Sequence, residues 1–311
     1  MKKFIAKLSI LGGLYLGMVC LFLVMSAQEN WSTPIEVLTK SEEFAYGNFG
    51  AREIVPYIER VQEKNDYTKL VIGDSVCNQI FNRYYEQNDI YCICGSNQAI
   101  SLAGQYILAE EFVQNHEEVT DIYLVIIMDS LTTDFGAQLG YQYAVMPFVE
   151  TDTIDNLDAD TRREMYDMYG WFFCQKPIVE LIDKSPLNTK LYLNFMYKKE
   201  KVFPHKREGL ISGVAYRHLE KMHSLCEEKG INLHLTPGPH ADLKEQHKME
   251  EVMRRELAAN GDPLGMKAYF DSITYYPEEL FRDRVHFDEK KLSDDFFKEL
   301  AKSILPEIEV E

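Results

Sequence analysis

The chain has 311 residues, 46% of them hydrophobic, and its 50 acidic residues outnumber 33 basic ones, which gives a formal net charge of −17 at pH 7. This apolar content is ample for a packed core, so we expect a globular protein rather than a disordered one. Lysine and arginine form no dense stripe that could neutralise phosphates, and we therefore predict no nucleic-acid partner.

The first predicted element is a membrane-inserted helix near the N-terminus. Residues 8–25 form an uncharged, mostly apolar run, which three lysines precede and two glutamates follow. This pattern predicts a single-pass anchor within residues 1–28, with the N-terminus inside and the remaining chain on the extracytoplasmic side. A cleaved signal peptide is the alternative, because small residues near Ser26 offer a cleavage site, and the chain would then be secreted. The length of the run favours the uncleaved anchor.

Beyond a polar juxtamembrane segment at residues 29–66, short apolar runs alternate with helical patterns. In chain order, the predicted elements are a strand at Lys69–Ile72, a helix from Ser75, a strand at Ile90–Cys94, a helix at Ala99–Gln114 and a strand at Asp121–Met128. The last strand is almost continuously apolar, which is typical of a central parallel strand buried on both faces. This alternation predicts an α/β domain with a mostly parallel sheet.

Between residues 140 and 209 the alternation breaks, and Tyr, Phe and Met residues are frequent. We predict a mostly helical insertion there, which either covers the carboxyl edge of the sheet, where α/β folds place ligands, or forms a structural subdomain. Aromatic residues of the insertion can stack on sugars or pack in a core; examples are Tyr141, Tyr143, Trp171 and Phe172.

The alternation resumes after the insertion. The predicted elements are a helix at Ser212–Lys229, a strand at Ile231–Leu235, a helix at Asp242–Asn260, a short strand at Ala268–Asp271 and a final helix at Leu292–Ile304. Gly230 is a natural C-terminal stop for the first of these helices.

The triplet Gly73-Asp74-Ser75 falls where the first strand meets the first helix of the domain. A serine in this place can stand at the carboxyl edge of the sheet, beside exposed helix amides that stabilise an oxyanion. The same triplet is also a common turn, in which Ser75 or Asp74 simply caps the helix. A catalytic partner is needed to decide between these interpretations.

Asp283 and His286 supply that partner, on a loop just before the last predicted helix. A histidine can take the proton of a serine hydroxyl near neutral pH and so make the serine a nucleophile. An aspartate three residues earlier can turn back to orient the imidazole. The alternative is a capping aspartate beside a surface histidine.

The triplet that ends in Ser75 and the later Asp283-x-x-His286 motif together resemble the SGNH (GDSL-like) hydrolase superfamily. The resemblance covers roughly residues 67–306, with residues 140–209 as an insertion. It implies a flavodoxin-like three-layer α/β/α sandwich with a mostly parallel sheet, in a catalytic domain at residues 67–311. It also implies Ser75 as nucleophile, His286 as general base and acid, and Asp283 as the residue that orients the imidazole.

In that superfamily the oxyanion hole combines the amide of the serine, here Ser75, with a glycine after the second strand and an asparagine after the third. Gly95 matches the glycine position. After the third strand the chain has Asp129 and Ser130 but no asparagine. Ser130, Thr132 or Asn97 is therefore left as a third donor, because a carboxylate at Asp129 would repel an oxyanion.

Asp129 and His240 are weaker candidates, for substrate binding, since each follows a strand that should end at the carboxyl edge. His240 is also interpretable as a loop histidine beside two turn-forming prolines. The histidines show no HExxH or similar spacing. We predict no metal and no cofactor.

An N-terminal anchor joined to an SGNH-like domain with an insertion resembles the proteins that accompany membrane-bound O-acyltransferases. The resemblance implies a serine-dependent O-acyltransferase or esterase that adds acetyl groups to a cell-envelope or exopolysaccharide, or removes them. The implied partners are a carbohydrate polymer or acylated small substrate and a membrane-bound O-acyltransferase. The alternative is a non-catalytic envelope protein of the same fold that binds glycan or scaffolds the acyltransferase.

Overall fold

A parallel sheet lies at the centre of the computed structural model, which describes residues 2–26, 51–84, 91–95, 101–136, 138–183, 185–202, 209–259, 261–262 and 264–308. Its strands are β1 (Lys69–Gly73), β2 (Tyr91–Gly95), β3 (Asp121–Ile126) and β4 (Asn232–Pro237). Their spatial order is β2-β1-β3-β4, with all neighbours parallel. This order matches the first four positions of the 2-1-3-4-5 order of flavodoxin-like sheets. The predicted α/β class and parallel sheet are confirmed.

Helices connect the strands. The first half of the chain contains α1 (Lys2–Ser26), α2 (Ala51–Gln62), α3 (Ser75–Phe81), α4 (Leu102–Asn115), α5 (Met128–Leu131), α6 (Gln138–Ala144) and α7 (Met146–Glu150). The second half contains α8 (Ala159–Tyr169), α9 (Lys176–Asp183), α10 (Pro186–Val202), α11 (Gly213–Lys229), α12 (Lys244–Ala259), α13 (Met266–Asp271) and α14 (Asp294–Ile304). A two-stranded sheet pairs β5 (His240–Ala241) with β6 (Tyr275–Tyr276).

The central sheet is buried on both faces, because successive strand residues point to opposite sides. Leu70 and Ile72 of β1 pack with buried residues of α2, α4 and α11. Val71 points the other way and packs with α3 and α14. Residues 122–126 of β3 are all buried, as expected for a central strand. Helices on both faces make the arrangement compatible with a three-layer sandwich.

Helix α2 was not predicted from the sequence, and it lies within the segment interpreted as juxtamembrane. Its residues Ile54, Ile58 and Val61 are fully buried and belong to the main core. Their spacing of four and three residues places them on one helical face. Folded structure therefore extends N-terminally of residue 67 to Ala51.

The predicted insertion is helical in its described residues, which form α6 to α10 with two 3₁₀ turns. Helices α6 and α7 pack against α2, so the insertion rests on one helical layer of the domain. Tyr141 and Tyr143 are buried, as the packing alternative expects. Trp171 and Phe172 are instead 62% and 55% exposed.

The predicted strand at Ala268–Asp271 is wrong, because this segment belongs to helix α13. The carboxylate of Asp262 accepts hydrogen bonds from the amides of Met266 and Lys267, which fixes the start of the helix. A short apolar run cannot be assigned by periodicity alone. The strand of this region lies a few residues later, at β6.

Helix α1 contains an apolar stretch from Phe4 to Met25, which is 22 residues long and has a mean hydropathy of 2.3. This length is sufficient to cross the hydrocarbon core of a bilayer. By length and composition, α1 can be a membrane anchor or a signal sequence.

Candidate active site

Ser75 is the first residue of α3, directly beyond the carboxyl end of β1. The chain leaves β1 for β2 on one side, and β3 pairs with β1 on the other. Ligands of open α/β sheets bind at such a switch point. Gly73 makes the turn possible, because a Cβ atom there would lie 2.0 Å from the carbonyl oxygen of Val125 and 2.5 Å from the Cβ of Cys77.

Asp74 caps the helix that Ser75 begins, so the capping interpretation is right for the aspartate. Its Oδ1 accepts the amide of Val76 at 2.9 Å. Its Oδ2 accepts the amide of Ile127 at 2.8 Å and the hydroxyl of Ser130 at 2.6 Å. Burial raises the pKa of Asp74, and these hydrogen bonds oppose the rise. The carboxylate thus fastens the start of α3 to the segment after β3.

The structure brings the three residues of the predicted triad together. His286 Nε2 lies 2.7 Å from Ser75 Oγ. His286 Nδ1 lies 3.0 Å from Asp283 Oδ2 and 3.1 Å from Asp283 Oδ1. At these distances the Ser75 hydroxyl can donate its proton to Nε2 while Nδ1 donates to the Asp283 carboxylate, so the imidazole bridges a hydroxyl and a carboxylate.

Asp283 is held in its ionised form by its own loop. Burial acts to raise the pKa of this carboxyl, but hydrogen bonds from the amides of Val285 and His286 and from the His286 ring outweigh it, and the net pKa is lowered. Both amides lie 2.9 Å from Asp283 Oδ1. An anionic carboxylate fixes the tautomer with a proton on Nδ1, which leaves Nε2 free to accept the serine proton.

Aromatic packing positions the loop that carries Asp283 and His286. Phe281 and Phe287 pair as an antiparallel bridge at its base, with ring centroids 4.5 Å apart. Phe287, the residue after His286, is fully buried and meets Phe296 and Phe297 of α14 edge to face. The loop that carries Asp283 and His286 is therefore anchored in a small core of its own.

Gln79 is a positioning residue that the sequence interpretation missed. It lies one turn after Ser75 on α3 and is 5% exposed. Its Nε2 donates to the carbonyl of Phe287 at 2.9 Å, and its Oε1 accepts the Phe287 amide at 3.1 Å. This pair of bonds joins the helix that begins with Ser75 to the loop that carries His286. Composition gave no signal for it, because the neighbouring Asn78 on the same helix is also polar.

We expect Gln79→Met to lower the rate at which a serine-reactive fluorophosphonate labels Ser75 by up to about 100-fold, because a small misplacement of the base has effects of that size. Methionine keeps the length of the side chain and removes both bonds to Phe287. Steady-state kinetics with an aryl ester should show a lower kcat at unchanged KM, since Gln79 touches no substrate. Gln114→Met, on the exposed face of α4, is the matched control; a wild-type kcat for Gln79→Met contradicts the positioning role.

Two of the three expected oxyanion donors, Ser75 and Gly95, lie at the carboxyl edge of the sheet, as predicted. Ser75 places its amide in the first turn of α3, where amides have no partner within the helix. Gly95 ends β2 and is the register partner of Gly73. Ser130 does not offer a free hydroxyl, because it donates to Asp74. Asn97 lies outside the described residues.

Asp129 is turned towards the triad loop. Its Oδ1 forms an ion pair with Arg284, which lies between Asp283 and His286 in the sequence, and its Oδ2 accepts from Gln246 at 3.3 Å. The guanidinium offsets the negative charge of this carboxylate near the site. In the structure, Asp129 braces the loop; its contact with substrate stays a prediction.

His240 is 2% exposed, and both ring nitrogens have partners within the protein. Nδ1 lies 2.7 Å from the carbonyl of Gly238, and Nε2 lies 3.2 Å from the amide of Met128. Burial lowers the pKa of His240 to about 4, so the ring is neutral at pH 7. This geometry supports the alternative of a structural loop histidine over a contact with substrate.

Within the part of the chain that the structure describes, no group of three or more His, Cys, Asp or Glu side chains is placed to hold a metal ion. Comparison of the chain with protein-family models, with curated proteins and with solved structures found no match in any of the three. The interpretation of the site therefore depends on its own geometry.

Proposed function

We propose that the chain is an extracytoplasmic serine-dependent O-acyltransferase or esterase, which adds acetyl groups to a cell-envelope or exopolysaccharide or removes them. The observation that carries the proposal is the hydrogen-bonded series from Ser75 through His286 to Asp283, with distances of 2.7 and 3.0 Å. We also assign the domain to the SGNH fold, on the strand order, the place of Ser75 after β1 and the place of His286 before α14.

The first half of the reaction forms an acyl-enzyme. His286 Nε2 takes the proton of the Ser75 hydroxyl as the serine oxygen attacks the acyl carbonyl. The amides of Ser75 and Gly95 stabilise the oxyanion of the tetrahedral intermediate. The imidazolium, steadied by Asp283, gives its proton to the departing alkoxide, so an alcohol leaves and an ester on Ser75 remains.

The second half repeats these steps with a new acceptor. His286 removes a proton from an acceptor hydroxyl, which attacks the ester carbonyl of Ser75. Collapse of the intermediate returns the proton to the Ser75 oxygen and restores the enzyme. Water as acceptor gives hydrolysis, and a sugar hydroxyl gives an O-acylated polymer.

The anchor favours transfer to a polymer at the membrane surface. Three lysines lie in the first two turns of α1, before its uncharged stretch, and by the positive-inside rule this asymmetry supports an extracytoplasmic domain. An anchored domain can take acyl groups from a membrane-bound O-acyltransferase and pass them to a polymer nearby. A diffusing secreted esterase would gain nothing from the anchor.

A non-catalytic scaffold of the same fold is the second candidate. It is favoured by the lack of an asparagine after β3 and by the bond that ties the Ser130 hydroxyl to Asp74. One missing oxyanion donor typically costs about 100- to 1,000-fold in rate. Labelling of the wild type, but not of Ser75→Ala, by a fluorophosphonate contradicts this candidate.

The test of the proposed function is the ester content of the envelope polymer in cells that carry Ser75→Ala in place of the wild-type chain. We expect polymer-bound ester to fall if the chain is a transferase and to rise if it is an esterase, because no acyl-serine can form. Ser224→Ala, on the exposed face of α11, controls for the loss of a serine hydroxyl. Unchanged ester at a normal protein level would overturn the assignment.

A further inference from the structure

The large apolar side chains that are exposed outside α1, among the described residues, all lie in the insertion. They are Trp171, Phe172, Leu191, Phe195 and Tyr197, each between 45% and 62% exposed. Single exposed apolar residues are ordinary, but a group of them marks an interaction surface. We call Trp171, Phe172, Leu191 and Phe195 the aromatic face.

The aromatic face is continuous. Trp171 and Phe172 are neighbours on one 3₁₀ turn. The ring of Phe172 lies 5.4 Å from that of Phe173, which in turn lies 6.4 Å from that of Phe195. Leu191 precedes Phe195 by four residues on α10 and therefore shares its side of the helix.

Helix α1 meets the insertion beside this face. Asn188 Nδ2 donates to the carbonyl of Leu23 at 3.2 Å, and Asn188 lies three residues before Leu191 on α10. Leu23 is two residues from the end of the apolar stretch at Met25, which corresponds to about 3 Å along a helix. If α1 crosses a bilayer, α10 therefore lies at the depth of the outer interface.

The aromatic residues of this face and the lysines of α10 are typical of a segment at the membrane interface. Tryptophan and other aromatic side chains favour the interface between headgroups and hydrocarbon. Helix α10 has four lysines and one glutamate in a chain whose net charge is −17. Lysines beside an apolar surface attract anionic lipid headgroups.

We propose that the aromatic face inserts into the outer interface of the bilayer next to α1, with anionic lipid as its partner. The domain then has two attachments to the membrane, the helix α1 and the insertion, which fix its orientation. This inference depends on the proposed anchoring by α1 and is independent of the chemistry at Ser75. A sugar polymer or a second copy of the chain on the aromatic face is the competing outcome.

The two tryptophans of the chain, Trp31 and Trp171, permit a direct test. The full chain with Trp31→Phe is reconstituted into vesicles that contain anionic phospholipid brominated near the headgroup end of its acyl chains. We expect the brominated lipid to quench the fluorescence of Trp171. Its emission should also shift to the blue, and aqueous iodide should quench it little. A Trp31→Phe chain that also carries Leu191→Ser and Phe195→Ser should show less quenching by bromine.

The control places a tryptophan elsewhere, by Lys248→Trp on the exposed surface of α12 in a chain with Trp31→Phe and Trp171→Phe. It should stay open to iodide and unquenched by brominated lipid. If Trp171 is likewise quenched by iodide and not by brominated lipid, the proposal is overturned. Protection of Trp171 from iodide that needs added polysaccharide, or that varies with the protein-to-lipid ratio, would indicate a sugar polymer or a second copy of the chain and would also overturn it. A mature chain in native cells that lacks α1 would overturn it as well. Fluorophosphonate labelling of Ser75 in the same vesicles tests the proposed chemistry separately.

Discussion

Replacing His286 with alanine should slow fluorophosphonate labelling of Ser75 by about 100- to 10,000-fold, which is the usual contribution of a positioned general base. The serine hydroxyl remains in place in this variant, but nothing at 2.7 Å accepts its proton. The rate is measured by gel fluorescence over time with the full chain in detergent. Hydrolysis of an aryl ester should fall in parallel, because both reactions begin with the same proton transfer.

The chain offers a matched control in a second histidine–aspartate pair. His247 Nε2 lies 2.7 Å from Asp242 Oδ1 on the surface, at the start of α12, with its side chain 50% exposed. His247→Ala removes an imidazole from such a pair whose other ring nitrogen has no serine hydroxyl partner among the described residues, and it should label at the wild-type rate. Equal labelling of His286→Ala and wild type would contradict a base role for His286, whatever the level of labelling.

The α/β class, the parallel sheet and the closeness of Ser75 to His286 were predictable because their signals are local in the sequence. Buried parallel strands appear as continuous apolar runs, as at β3, and a glycine at the end of β1 marks a close approach. A serine after the first strand and a histidine before the last helix reach the same edge once the strands are parallel. The geometry of Ser75 and His286 is thus a consequence of the topology.

The supports of the triad were not predictable, because each joins segments that are distant in the sequence. Gln79 binds Phe287, which is 208 residues later, and Asp129 pairs with Arg284, which is 155 residues later. Glutamine and aspartate are ordinary surface residues, so the identities of Gln79 and Asp129 give no signal of these contacts. The bond that occupies the Ser130 hydroxyl is also non-local. Because this hydroxyl donates to Asp74, which lies 56 residues earlier, it is not free to donate to an oxyanion.

Acid should destabilise the folded chain between pH 6.5 and about 4, because two buried histidines resist protonation. Burial lowers the pKa of His218 from 6.5 to about 4, and the same cause has the same effect on His240. In this window the unfolded state binds more protons than the folded state, so the free energy of unfolding falls as the pH falls. At about 1.36 kcal/mol for each pH unit between the two pKa values, each histidine contributes about 3 kcal/mol.

His218→Phe isolates one of these contributions. His218 Nδ1 lies 2.8 Å from the carbonyl of Val214, and its buried Nε2 has no hydrogen-bond partner among the described residues. Phenylalanine fills the same space without a titrating group. Urea unfolding of the full chain in detergent at pH 7 and pH 4.5 should therefore show a smaller acid loss for His218→Phe, with His247→Phe as the control for removing a surface histidine. An equal acid loss in His218→Phe and wild type would contradict the prediction.

The two histidines should differ in what acid does to the active site. A proton on His240 Nε2 would face the Met128 amide, which now donates to that nitrogen at 3.2 Å, and Met128 begins the turn that contains Asp129 and Ser130. Protonation of His240 therefore disturbs the segment that Asp74 and Arg284 hold in place, whereas protonation of His218 acts where α11 packs on α4, at the Tyr106 ring 5.7 Å away. In His218→Phe, the acid loss of Ser75 labelling should persist while the acid loss of stability becomes smaller.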